Sequence, residues 1–122
     1  MRLVRIRNLT SPLHTPLEAR HCQSFLCRLR GLMFQATIRP QCALLLVEPD
    51  ENRINAAIHM LFMRFPIAVI WINARFQVVD VKLAFPWRSV YLPAAPAKFI
   101  LEAHASRLID FHTGDQLEFE YV

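Results

Sequence analysis

Residues 67–73 read IAVIWIN, an apolar run with no polar position until its last residue. A half-buried strand alternates polar with apolar residues, so a strand apolar on both faces belongs inside a sheet. The run sits within a longer one, 54–74, which is long enough to cross a bilayer. Arg64 and Pro66 stand at its centre, and a central Arg costs about 2.5–3.5 kcal/mol on insertion scales. Two core strands parted at Phe65-Pro66 fit these residues better than one membrane span. The start MRLVRIRNLTSPLH has no apolar stretch after its basic residues, so it does not read as a secretory signal and the expected location is the cytoplasm.

Other stretches extend this β-rich pattern. Residues 2–7, with Val4 and Ile6 on one face, 76–84 and 116–121 alternate as strands do, 98–103 (KFILEA) reads as another strand, and in 116–121 Leu117, Phe119 and Tyr121 are expected to face inward. Residues 42–47 (CALLLV) read as a buried strand ending at Pro49, with 50–53 a polar loop. Residues 56–62 read as a further strand, 73–75 as a hairpin connection, and the proline-rich 85–97 as irregular. One helix is expected over 18–30, where Cys22, Phe25, Leu26 and Leu29 form an apolar stripe. Thr15 and Glu18 resemble its capping box, and Gly31 its stop. The fold class expected is mainly β: a single-domain antiparallel barrel or jelly-roll-like sandwich over residues 1–122, with one short helix.

The 122 residues carry 14 Lys and Arg against 10 Asp and Glu, and 54% are hydrophobic. That composition excludes a disordered chain. The cations are lopsided: residues 1–39 hold seven Arg and one Glu, a net +6, and the remainder is −2. A basic face suits an anionic surface or nucleic acid, or simply keeps an apolar core soluble. Nucleic acid is the weaker reading, because no aromatic platform is interleaved with the basic residues. Cys22, Cys27 and Cys42 lack zinc-site spacing and read as small buried thiols in a reducing compartment. The five histidines show no i, i+4 pair, so no metal and no cofactor is expected, and Met33, Met60 and Met63 read as core filler.

Ionisable groups in apolar surroundings are costly and therefore informative. His59 and Arg64 interrupt the segment 58–73, and either bind an anion at a barrel mouth or serve local structure: His59 bonding a backbone carbonyl, Arg64 holding its head in water before Pro66. Trp87 and Arg88 lie in the irregular loop, where they form an apolar wall and an anion contact, or a plug and an ion pair with Glu102. Glu102, in an apolar strand, calls for a cation, and Arg64 and Arg88 are the candidates. Together His59, Arg64, Trp87, Arg88 and Glu102 form the expected ligand-binding patch of a non-catalytic binding or accessory domain, for a small anionic ligand or a protein partner's carboxylate. The alternatives are a hydrolase with His59 as base and Glu102 as acid or orienting group, and nucleic-acid binding through the N-terminal face.

Several motifs occur in order: Arg30-Gly31-Leu32-Met33-Phe34, Ile58-His59-Met60 running to Ile67, Pro86-Trp87-Arg88, Leu101-Glu102 and Gly114-Asp115-Gln116-Leu117. This set, spanning about Asn8 to Glu120, resembles the family catalogued as domain of unknown function 192. The resemblance implies a compact, mainly β domain of jelly-roll or barrel character with a short helix before the RGLMF motif, and it implies no established activity. It also implies an Asp two residues after the proline of the central motif, where this chain has Ala68, and a glycine shortly after the Leu-Glu pair, where it has Ser106.

Overall fold

The computed structural model describes residues 2–88 and 90–122. Its strands are β1 (Leu3–Asn8), β2 (Leu17–Cys22), β3 (Cys42–Asn52), β4 (Ile67–Ile72), β5 (Val78–Ala84), β6 (Ala97–His104) and β7 (Leu117–Tyr121). One α-helix, α1 (Phe25–Arg30), and a 3₁₀ helix, Ala105–Asp110, complete the elements. The fold is mainly β, a seven-stranded curled sheet in the order β5-β4-β6-β3-β2-β1-β7. β4, buried at all six positions, lies between β5 and β6 as its two apolar faces require.

The curl encloses one core and leaves a second outside. Val4, Leu17, Leu45, Ile70, Leu101 and Leu117, one each from β1, β2, β3, β4, β6 and β7, belong to the inner cluster. The alternate residues Leu44, Leu46, Ile67, Val69, Trp71 and Ile100 form the outer cluster. Three non-sheet segments cover that outer face: 23–41, 53–66 and 85–96. At one end of the curl the two edge strands nearly meet. Gln77 and Gln116 form a bridge, Leu117 N–H donates to Phe76 O at 2.8 Å, and Gly114 N–H donates to Val78 O at 2.8 Å. Gly114, at φ +98°, permits this turn. The buried Asp115 carboxylate accepts from Asn8 Nδ2 at 2.8 Å and from His112 N–H at 2.9 Å, fixing β1 to the turn.

Four expectations need correction. The helix over 18–30 is a strand followed by one short helix. β2 pairs antiparallel with β1 and parallel with β3, so the sheet is not purely antiparallel. The alternation of buried Leu17 and Ala19 with Glu18 and Arg20 is a strand signal only four residues long, and it runs into the helical stripe that begins at Cys22. α1 starts at Ser24, whose Oγ accepts from Cys27 N–H, and not at Thr15. Its apolar residues Phe25, Leu26 and Leu29 are all exposed.

Second, residues 56–60 alternate in burial, yet the segment 56–62 is not a sheet strand, and its isolated bridge, Ile58–Tyr91, is to the loop after β5. They lie across the outer core, held where Trp71 Nε1 donates to Ala56 O at 2.7 Å. Third, β3 runs past Pro49 to Asn52, with a register shift between Val47 and Asn52 that accommodates the proline. Fourth, Cys22 and Cys27 form a disulfide, and Cys42 alone is free. The strand-to-helix bend brings their Cα atoms to 5.7 Å, within bridging range. The argument for a reducing compartment from three free thiols therefore falls. Among the described residues no helix is long and apolar enough to cross a membrane, and this speaks only of helices. Met60 and Met63 are buried in the outer core, Met33 half-buried.

Candidate functional site

Glu102 lies on β6 between Leu44 of β3 and Val69 of β4, and its side chain points into the outer layer. The residue is 5% exposed. Among the described residues no cation lies within ion-pairing distance of it and no donor bonds it. Desolvation by burial pushes its pKa from 4.5 up to about 7. No solvent-sealed side-chain polar atom lacks a partner among the described residues, so the Glu102 oxygens, which accept no hydrogen bond there, are reached from open space. That space is a cleft of about 350 Å³ between α1 and the 55–63 segment, floored by Ile100 and Glu102.

Gly31 roofs the carboxyl. It has φ +49°, and a Cβ built there would stand 3.2 Å from Glu102 Oε1. The glycine thus does two things: it turns the chain out of α1, where its N–H donates to Cys27 O at 2.9 Å, and it leaves room for Glu102. The RGLMF and LE motifs, seventy residues apart, meet here. A second carboxylate in the cleft, Glu48, is also buried, with desolvation raising its pKa, but Arg28 Nε at 3.2 Å opposes the rise. Glu102 has no such neighbour.

His59 lines the same cleft. Its Nε2 bonds Leu29 O at 3.1 Å, and its Nδ1 accepts from Leu61 N–H at 3.3 Å, which assigns the Nε2-protonated tautomer. Both ring nitrogens are thus committed to tying α1 to the 59–62 turn. Arg64, Trp87 and Arg88 do not line the cleft. All three are exposed, and neither Arg64 nor Arg88 reaches Glu102, so the Arg–Glu pair considered above does not form. Trp87 N–H donates to Met60 O at 2.7 Å, and Arg88 O accepts from Met60 N–H at 3.1 Å, so their backbone braces the cleft wall from behind. The Arg88 guanidinium lies over the Tyr91 ring. The structure therefore brings His59 and Glu102 to one cavity and sends the other three to the surface.

Sequence reading missed Gly31, Arg28 and Glu48 as parts of this site. The scarcity of glycine was a usable signal, since Gly31 is one of two. It also missed Arg107, 4% exposed, which bonds Asp110 Oδ2 at 2.6 Å and donates to Thr15 O and Pro40 O, each at 2.8 Å. This is a structural clamp, and Arg107 does not line the cleft. Ala68 is wholly buried in the inner cluster, so an Asp at this position would not face Glu102. Ser106 accepts its place in the 3₁₀ helix, where His104 Nδ1 is 2.8 Å from its Oγ. Among the described residues no group of three His, Cys, Asp or Glu side chains is placed to hold a metal ion.

The ordered motifs and their three-dimensional placement can now be set beside known proteins. The profile of the DUF192 family, described as "Uncharacterized ACR", matches residues 7–119. The chain belongs to this family. A DUF192-type UPF0127 protein of Pyrococcus furiosus is 40% identical over 113 residues, covering 91% of this chain and 94% of that one. A UPF0127 protein of Pyrococcus horikoshii is 46% identical over 85 residues, 70% of each chain. A Sinorhizobium meliloti 1021 protein whose crystal structure is described as that of "a putative transcription regulator" superimposes with a TM-score of 0.82 at 18% identity, covering 97% of this chain and 92% of that one. At that identity the likeness shows the DUF192 fold alone.

Proposed function

We propose that this DUF192 protein is a non-catalytic binding domain and that its ligand site is the cleft beneath α1, with Glu102 as the recognition group. The observation that carries the proposal is a carboxyl group buried beside an open cleft, without a protein partner, under a glycine that makes room for it. Burying a carboxyl this way is costly, and a ligand donor entering the cleft offsets that cost. The chemistry differs from the anionic ligand expected from sequence. Among the described residues Glu102 meets the cleft with no cation paired to it, so an ammonium, a guanidinium or a neutral polyol donor is favoured against its carboxyl, while Glu48 is held by Arg28, and Arg30 lines the cleft as well. The anion-seeking residues Arg64 and Arg88 lie outside it.

A hydrolase has less support. A carboxyl with pKa about 7 suits a general acid. The expected base, His59, has both nitrogens engaged by backbone groups. Isothermal titration with simple alkylammonium, guanidinium and sugar compounds tests the binding reading. A cation should bind more tightly as pH rises through 7, with proton release, and Glu102→Gln should abolish that pH dependence. Absence of heat from every compound at both ends of that pH range would end the proposal.

A further inference from the structure

We propose that the outer cover of the sheet, the face carrying α1, Phe34, the 59–64 turn and the loop around Trp87, docks peripherally on an anionic lipid bilayer. This goes beyond the cleft and does not depend on its ligand.

The first observation is an aromatic cluster held outward. Phe34, Phe62 and Trp87 are 59%, 46% and 60% exposed. Their rings touch in sequence, Phe34 to Phe62 at 5.2 Å and Phe62 to Trp87 at 5.1 Å between centroids. All three have positive φ, at 66°, 62° and 68°. Bulky residues rarely adopt that conformation, and it persists where surrounding structure imposes it. Here Phe34 N–H donates to Phe62 O and Trp87 N–H to Met60 O, so backbone bonds lock the three turns together. The surface continues onto α1 through the Leu29–His59 bond, adding Phe25, Leu26 and Leu29, all more than half exposed.

The second observation is charge. The three covering segments, 23–41, 53–66 and 85–96, contain no Asp or Glu and six Arg. Among the described residues, Arg30, Arg64 and Arg88 are exposed and paired with no carboxylate. On β1, by contrast, Arg5 pairs with Glu18 and Glu120, and Arg7 with Glu120. A patch of Trp, Phe and Leu interspersed with unpaired arginine fits the headgroup boundary of an anionic membrane. A second copy of the chain would set these arginines against one another. Single-stranded nucleic acid would use the aromatic rings but gains nothing from exposed Leu26 and Leu29.

The test is sedimentation of the purified protein with vesicles of phosphatidylcholine alone and of phosphatidylcholine mixed with phosphatidylserine, with tryptophan emission as a second readout. Trp71 is fully buried and hydrogen-bonded, so it serves as a constant background and Trp87 reports the surface. The protein should partition onto the anionic vesicles and not the neutral ones, with a blue shift that Trp87→Phe removes. Each of Arg30→Gln, Arg64→Gln and Arg88→Gln should lower partitioning about fivefold, the equivalent of about 1 kcal/mol per basic side chain. Arg5→Gln, on β1, should leave it unchanged. Failure to sediment with anionic vesicles, or equal partitioning onto both kinds, overturns the proposal. Binding of a labelled oligothymidylate without vesicle binding overturns it in favour of nucleic acid.

Discussion

Leu101 and Glu102 are neighbours on β6 and live in different environments. Leu101 faces the inner cluster, to which all seven strands contribute and where apolar side chains satisfy one another. Glu102 faces the outer layer, where irregular segments replace strands and a cleft remains. One residue of translation along a strand exchanges the inner core for the outer cleft. Backbone strain divides the same way: three of the four non-glycine residues at positive φ, Phe34, Phe62 and Trp87, lie in the outer cover. The inner face therefore holds the architecture and leaves the outer face free to depart from regularity.

The largest effect that would sharpen this division is Leu101→Ala. Leu101 is wholly buried, so its truncation should destabilise the protein by about 2–5 kcal/mol in urea unfolding, while the surviving folded fraction binds in the cleft as before. A small loss would mean that the inner core relaxes and is less sealed than it looks. Next comes Glu102→Gln, with the opposite sign. The folded pKa of Glu102 is about 7 and its ordinary value 4.5. Between those values the unfolded chain ionises first, so this group's contribution to stability is unpenalised below pH 4.5, falls as pH rises, and is lowest above pH 7. Removing the charge should flatten this slope and stabilise the protein above pH 7 by up to about 3 kcal/mol, measured by urea unfolding across that range. An unchanged pH profile would show that Glu102 is not confined as the geometry implies.

The smallest of the three is Gly31→Ala, expected to cost about 1–2 kcal/mol from its positive φ and the approach to Glu102 Oε1. Combining it with Glu102→Ala separates the two causes: the crowding part should be recovered in the double-mutant cycle and the backbone part should not. Full additivity would break the link between roof and carboxyl.

Much of the sheet was legible before the fold was known. The two-faced apolar run of β4 announced an interior strand, and Val4 with Ile6 announced β1. β2 was not legible, because Cys22, Phe25, Leu26 and Leu29 have helical spacing. What overrides that spacing is tertiary: β2 fits between β1 and β3, with Arg5 bonding Glu18 across the pair. Residues 56–62 erred in the opposite direction, since Ala56, Ile58 and Met60 alternate in burial without a sheet ladder beside them. The strand total of seven was reached with these two segments exchanged. At the site, Glu102 stood out as an acid in an apolar strand, whereas its meeting with Gly31 could not be read, because chain spacing does not say which segment crosses over β6. For the same reason Arg64 and Arg88 were assigned to a cavity that they do not line.

The parallel pairing of β2 with β3 has a consequence for how relatives can diverge. Strands running the same way cannot be joined by a tight hairpin, so the chain must make a return journey, and residues 23–41 make it over the outer layer. This passage is an architectural necessity, and Cys27, Arg28 and Gly31 are its fixed points, held by the disulfide, by Glu48 and by the approach to Glu102. Between those points a lineage can rewrite the letters of the passage without disturbing the order of a single strand.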